Sequence, residues 1–186
     1  MAAFQKIGVE RIAVDKFLGK SLDQICLDLD LDKEHTALLK YHYLQFDRKN
    51  CQKVKYHKEM DQLLKWLIDS GIPLALVTSK LQESTYNLIE ALHLDLFFKV
   101  IITSADVVYT KPNPEPLLLA CKRLKVKPDP SCISVGDTIS DINAALSAKI
   151  TPIGVTWGVD GDKLRMAYPS LMTVTSTAEL RGFLEQ

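Results

Sequence analysis

No stretch of this chain holds the roughly 20 consecutive apolar residues that a membrane-spanning helix needs, and MAAFQKIGVERI lacks the apolar middle of a signal peptide. Neither sign of charge is in excess. The 23 Lys and Arg balance 23 Asp and Glu, so there is no electrostatic footprint for nucleic acid or a membrane surface. Cysteine is sparse: Cys26, Cys51, Cys121 and Cys132 form no CxxC pair and are expected to be reduced thiols in a cytoplasmic protein. His35, His42, His57 and His93 share no ligand spacing with a carboxylate or cysteine, so surface or core-edge roles are expected for them. Repeats and low-complexity segments are also lacking. What remains is an ordinary globular composition, 47% apolar and 25% charged over 186 residues, enough for one core with a small accessory lobe.

From residue 56 onward the pattern alternates between strand and helix. HKEMDQLLKWLIDSG (57–71) has helical apolar spacing and a glycine suited to its C-terminal cap, and PLALVT (73–78) is a continuous apolar run, as in a strand buried on both faces. A helix at 82–93, a strand KVIITS (99–104) and a helix PEPLLLACKRL (114–124) follow. The strand CISVGD, a helix at 141–148, PIGVTW (152–157), a short MTVTS (172–176) and the closing helix TAELRGFLE complete the series. This predicts an α/β fold, a Rossmann-like doubly wound parallel sheet with helices on both faces. Residues 1–55 carry only helical patterns, at about 4–18, 21–29 and 33–47, and KNCQKVK (49–55) looks like a solvated linker. The expected organisation is a helical lobe over 1–55 and an α/β core over 56–186.

Chemistry-bearing residues fall at the predicted strand ends. Thr78 closes one strand, Lys111 in YTKPNPEP follows another, and Asp137 and Asp141 in VGDTISDINAA follow a third. In a parallel sheet these ends share one crevice. A hydroxyl and an ammonium suit phosphoryl oxygens, while two carboxylates four positions apart suit Mg²⁺, which prefers oxygen ligands and keeps part of its water shell. Each residue also has a plainer role. Thr78 can satisfy local backbone, Lys111 can be a loop lysine, and the two aspartates can be helix-entry carboxylates.

With LALVTSK, KPNPEPLLLACKRL, VGDTISDINAALSA and PIGVTWG in this order, and FLGKSLDQI ahead of them, the chain resembles the haloacid dehalogenase superfamily of phosphohydrolases. More narrowly it is similar to the phosphoglycolate phosphatase and β-phosphoglucomutase branch, which carries a helical cap. The resemblance implies a Mg²⁺-dependent hydrolase of a small phosphorylated metabolite. It implies that Thr78 hydrogen-bonds the phosphoryl group, with Ser79 and Lys80 beside it. Lys111 would stabilise the phosphoryl charge, Asp137 would ligate Mg²⁺, and Asp141 would support the metal from the second shell.

The same resemblance exposes a departure. The family attacks phosphorus with the first Asp of a DxDGT segment on a central strand, and this sequence contains no DxDGT. In the family's strand order that strand lies between the one ending at Thr78 and the one ending at Asp137. Two segments offer substitutes: ICLDLDLD (25–32), with Asp28 as nucleophile and Asp30 as acid/base, and RIAVDKF (11–17), with Asp15. The expectation is an impaired or inactive phosphatase-like protein of marginal stability. The alternatives are a truncated phosphatase whose true start lies upstream, a non-catalytic phosphate- or protein-binding relative, closed by a homodimer or a partner strand, and an active variant using Asp28 and Asp30.

Overall fold

A computed structural model describes Phe17 and residues 19–185. The helix expected at 4–18 and the aspartate of RIAVDKF lie outside the described residues. The first described helices are α1 (Leu22–Asp28) and α2 (Lys33–Asn50). Each starts on a side-chain cap: Ser21 Oγ accepts from Gln24 N–H at 3.2 Å, and an Asp32 carboxylate oxygen accepts from His35 N–H at 2.8 Å. Leu22, Ile25, Cys26 and Leu39 bury together against Phe17, Tyr43 and Leu81, so the two helices share one small core. The linker expected over 49–55 is corrected. Lys49 and Asn50 finish α2, and Cys51–Lys53 form a 3₁₀ turn with Cys51 buried.

The remaining elements alternate as expected: α3 (Met60–Asp69), β1 (Ala75–Val77), α4 (Gln82–Leu92), β2 (Val100–Ile102) and α5 (Glu115–Leu124). They continue with β3 (Ile133–Gly136), α6 (Ile139–Ser147), β4 (Thr151–Val155), α7 (Asp162–Ala167), β5 (Thr173–Val174) and α8 (Thr177–Leu184). Helix α3 starts later than its apolar spacing suggests because Glu59 adopts a left-handed backbone, φ 60°, that breaks the helix there. It ends where Gly71, φ 74°, turns the chain back so that Ile72 N–H reaches Leu67 O at 3.0 Å.

Among the described residues all strand pairs are parallel, and they form two sheets. One is β1–β2, with Ala75 opposite Val100. The other is β3–β4–β5, with Ile133 opposite Thr151 and Gly154 opposite Thr173. Helices, not strand pairing, join the halves. On one face Leu63 and Leu67 of α3 and Leu180 of α8 pack on Ile153, Val155 and Val174, with Leu74 from the entry to β1 against them. On the other, Leu117 and Cys121 of α5 pack with Ala144 and Ala145 of α6, and Val77 of β1 joins them.

Between β1 and β3, where the resemblance puts a further strand, the described residues contain none. Burial differs between the strands. Val100, Ile102, Ile153 and Val155 are buried as doubly covered strands require, whereas Ile133 and Val135 of β3 are 42% and 45% exposed. Replacing the fully buried Ile153 with Ala is therefore expected to cost about 3 kcal/mol, against less than about 1 kcal/mol for Ile133→Ala. Urea denaturation of both variants measures this, and equal losses would mean that β3 is as enclosed as β4.

Candidate functional site

The C-terminal ends of β1 and β3 bring the expected residues together through Lys111. Its ammonium donates to Val77 O at 3.0 Å and pairs with Asp141 Oδ1 at 2.6 Å. Thr78 N–H bonds Ile102 O in the opposite direction, so Val77 O lies on the edge of β1 away from β2. Lys111 thus caps the open edge of one half-sheet and neutralises a carboxylate at the head of the helix that follows the other. Both partners are well shielded, at 14% and 12% side-chain exposure.

Asp141 is fully engaged. Its Oδ1 takes Lys111, and its Oδ2 accepts from Thr138 N–H at 3.1 Å and Thr138 Oγ–H at 2.7 Å. Thr138 Oγ in turn accepts from Asp141 N–H, which makes a reciprocal capping box at the start of α6. Burial is the largest single influence on this carboxyl and raises its pKa. The charge and hydrogen bond of Lys111, with the two Thr138 bonds, outweigh it and hold the pKa below the usual carboxylate range. Gly136 is needed at this point, because a Cβ there would overlap that of Asp141.

Asp137 anchors a loop. Its Oδ2 accepts from Val159 N–H at 2.8 Å, its backbone carbonyl accepts from Asp160 N–H at 3.0 Å, and a Cβ on Gly158 would overlap its side chain. Asp160 Oδ2 then accepts from Ile139 N–H at 2.8 Å, closing the loop onto the first turn of α6. Trp157, at the same bend, stacks on His57 with ring centroids 4.6 Å apart and planes 4° from parallel.

Thr78 Oγ accepts from Lys80 N–H at 3.2 Å, so the turn after β1 is held by the hydroxyl that would face a phosphoryl group. Ser79 Oγ is buried with no partner, and Lys80 reaches back to Asp47 Oδ1 of α2 at 3.3 Å. Asp28 and Asp30 are elsewhere. The strand that would have carried them is the helix α1, and the carboxylate of Asp28 is bound by Lys20 at 2.6 Å and Gln24 at 2.8 Å. Asp30 sits beyond the helix end with φ 50°. Helical spacing of Leu22, Ile25, Cys26 and Leu29 prevailed over the DxD pattern.

Two residues that matter here were not singled out from the sequence. Thr138 was legible, since T-x-x-D at a helix entry is a capping-box signature. Asp160 was not, because its partner Ile139 is distant in sequence and no local spacing signals the contact.

The donor set falls short of a Mg²⁺ cage. Asp141 has no oxygen left uncommitted, Asp137 has one engaged, and no group of three His, Cys, Asp or Glu converges among the described residues.

The family model for haloacid dehalogenase-like hydrolases matches residues 1–155. The chain belongs to that family. Over 147 residues it is 31% identical to the pyrophosphatase PpaX of Bacillus pumilus, a match spanning 79% of this chain and 67% of that protein. Over 103 residues it is 37% identical to a phosphoglycolate phosphatase of Escherichia coli, covering 55% of this chain and only 40% of that enzyme. A hydrolase of Pseudomonas syringae superposes with a TM-score of 0.87 at 24% identity, covering 98% of this chain and 87% of that one, which shows the shared fold. No described helix is long and apolar enough to cross a membrane.

The depressed pKa of Asp141 fixes a sign for acid stability. A carboxyl held lower in the folded chain than its unfolded value of about 4 stabilises above that value, and the contribution drains away as pH falls through the folded pKa. Asp141→Asn is expected to lose about 3 kcal/mol at pH 7, where Lys111 is left without its counter-charge, and to show a flatter stability profile below about pH 4. Denaturant melts from pH 2 to 7 measure both, and parallel profiles for the two proteins would remove Asp141 from the acid response.

Proposed function

We propose that this protein is directed at small phosphomonoesters and that the crevice of Thr78, Ser79, Lys111, Asp137 and Asp141 is its phosphoryl-binding site. The observation that carries this reading is the Lys111 ammonium, shielded at the shared C-terminal end of the two parallel half-sheets, beside the Thr78 hydroxyl turn. Family membership and relatives named as a phosphoglycolate phosphatase and a pyrophosphatase support the substrate class.

The chemistry of these residues is binding and charge compensation. Thr78 can donate its hydroxyl proton to a phosphoryl oxygen while accepting from Lys80 N–H. Lys111 can share its positive charge between Asp141 and the incoming dianion, drawing the ester against the end of β1. Asp137, fixed by the 158–160 loop, is the carboxylate that would hold a Mg²⁺, which would offset phosphoryl charge, but alone it does not make a metal site. The described residues lack a free carboxylate aimed at the phosphorus position, so turnover by this set is expected to be severely impaired. The helices before residue 56 serve in this reading as a cap over the crevice, in a cytoplasmic protein.

A second reading has its own support. The edges of β1 and β3 that no described strand pairs, with Ile133 and Val135 exposed, suit a non-catalytic relative that binds phosphate-bearing ligands, or that accepts a partner strand or a second copy.

Calorimetric titration of inorganic phosphate into the chain, with p-nitrophenyl phosphate hydrolysis in parallel, tests the proposal. Binding in the millimolar range or tighter is expected, weakened about tenfold or more by Lys111→Ala, as loss of a charge-assisted bond of about 1.5–3 kcal/mol implies. Hydrolysis is expected to stay near background with or without Mg²⁺, and Asp28→Asn to change nothing. Absence of phosphate binding by a folded sample would overturn the phosphoryl site. Mg²⁺-dependent turnover abolished by Asp28→Asn would restore Asp28 as nucleophile.

A further inference from the structure

The four cysteines are not equivalent. Cys26 is buried between α1 and α2, and Cys51 lies in the 3₁₀ turn with its thiol donating to Arg48 O at 3.3 Å. Cys121 and Cys132 are in contact with each other. Cys121, in the last turn of α5, is buried with Leu117, Ala144 and Ala145, and Cys132 packs against that cluster from the residue before β3. The two sulfurs share a hydrogen bond, and the Cys132 thiol also reaches Lys127 O at 3.2 Å.

Each sulfur belongs to a different half of the core. Helix α5 lies on the β1–β2 half, where Ala120 packs with Val100 and Ile102. The backbone of Cys132 is held in the other half, its carbonyl accepting from Thr151 N–H at 2.9 Å at the start of β4. The contact is therefore a crossing point between the two half-sheets, at the strand ends opposite the crevice.

Cys132 is half-buried and Cys121 is buried. Burial, followed by the neighbouring Cys132 sulfur, pushes the Cys121 thiol up to about 11. A thiol held protonated this firmly attacks a reagent from solution poorly. The roles divide accordingly: Cys132 meets the oxidant, and Cys121 stands beside it, where proximity substitutes for intrinsic reactivity.

We propose that Cys121 and Cys132 are a redox modification site, closing to a reversible disulfide under hydrogen peroxide and so tying the two half-sheets together covalently. In the first step the Cys132 sulfur attacks peroxide, the O–O bond breaks, and Cys132 becomes a sulfenic acid as water is released. The Cys121 sulfur then attacks that of Cys132. The S–S bond forms, the S–O bond breaks, and hydroxide leaves as water with the Cys121 proton. Together the thiols give up two electrons and two protons, and one peroxide takes them up as two waters. A dithiol reductant reverses the change by exchange. The site is independent of the phosphoryl crevice.

Peroxide treatment of the folded chain, followed by N-ethylmaleimide capping, intact mass and peptide mapping, tests this. The expected product is a monomer that has lost two of its four thiols, with one peptide pair joined through Cys121 and Cys132. Its melting temperature is expected to rise by about 5 °C or more and to return with dithiothreitol. Cys121→Ala should halt the chain at the Cys132 sulfenic acid, captured by dimedone, and Cys132→Ala should leave the remaining thiols free. Mapping of the unsubstituted chain decides the matter even where a variant fails to fold. Disulfides through Cys26 or Cys51, cross-links between chains only, four thiols still free after treatment, or a cross-linked form that melts no higher than the reduced one would each overturn the proposal.

Discussion

One ammonium group holds the two ends of this site in register. Lys111 bonds the last carbonyl of β1 on one side and the first-turn carboxylate of α6 on the other, and both side chains of the ion pair are well shielded. Among the described residues the strands themselves do not meet: β1 pairs with β2, and β3 with β4. Below the crevice the halves are fastened by apolar packing of α3, α5, α6 and α8. At the crevice the Lys111 bridge is the polar link between them. Removing one member of a shielded ion pair strands the other, at about 3–5 kcal/mol, so this link weighs heavily for a domain of this size.

The residues around the bridge are each tied into the structure. Asp141 closes the capping box of α6, Asp137 pins the loop at 158–160, and Thr78 holds the turn into α4. Glycines at 136 and 158 make room for the two aspartates, whose neighbours approach too closely for any side chain. Positions fixed this tightly present the same geometry to every ligand, which favours electrostatic recognition of phosphate. The same commitment of oxygens leaves few donors for a metal among these residues.

Much of this was legible in the sequence, and for identifiable reasons. Continuous apolar runs such as PLALVT and the glycine and proline punctuation located the strands and helices, because a doubly covered strand cannot alternate polar and apolar residues. The strand-end positions of Thr78, Lys111, Asp137 and Asp141 followed from parallel topology alone. What was not legible depended on contacts between distant segments. Nothing near Asp160 reveals that it caps α6, and nothing near Lys111 reveals that Val77 O is one of its acceptors. The helix expected at 21–29 forms, with Leu22, Ile25 and Cys26 buried, although the alternation of Leu and Asp around Asp28 and Asp30 also fits a strand period. The bonds of Asp141 to Thr138 are those of a helix-entry carboxylate, one of the roles its position allowed.

The claim on which the account turns is that Lys111 couples the two half-sheets at the crevice. Native-state hydrogen exchange on Lys111→Met, whose apolar stem preserves the packing, tests it most directly. The account predicts that protection falls together at Thr78, bonded to Ile102 O on one half, and at Asp141, bonded to Thr138 on the other. Loss of protection at only one of these amides, or at neither, would contradict it.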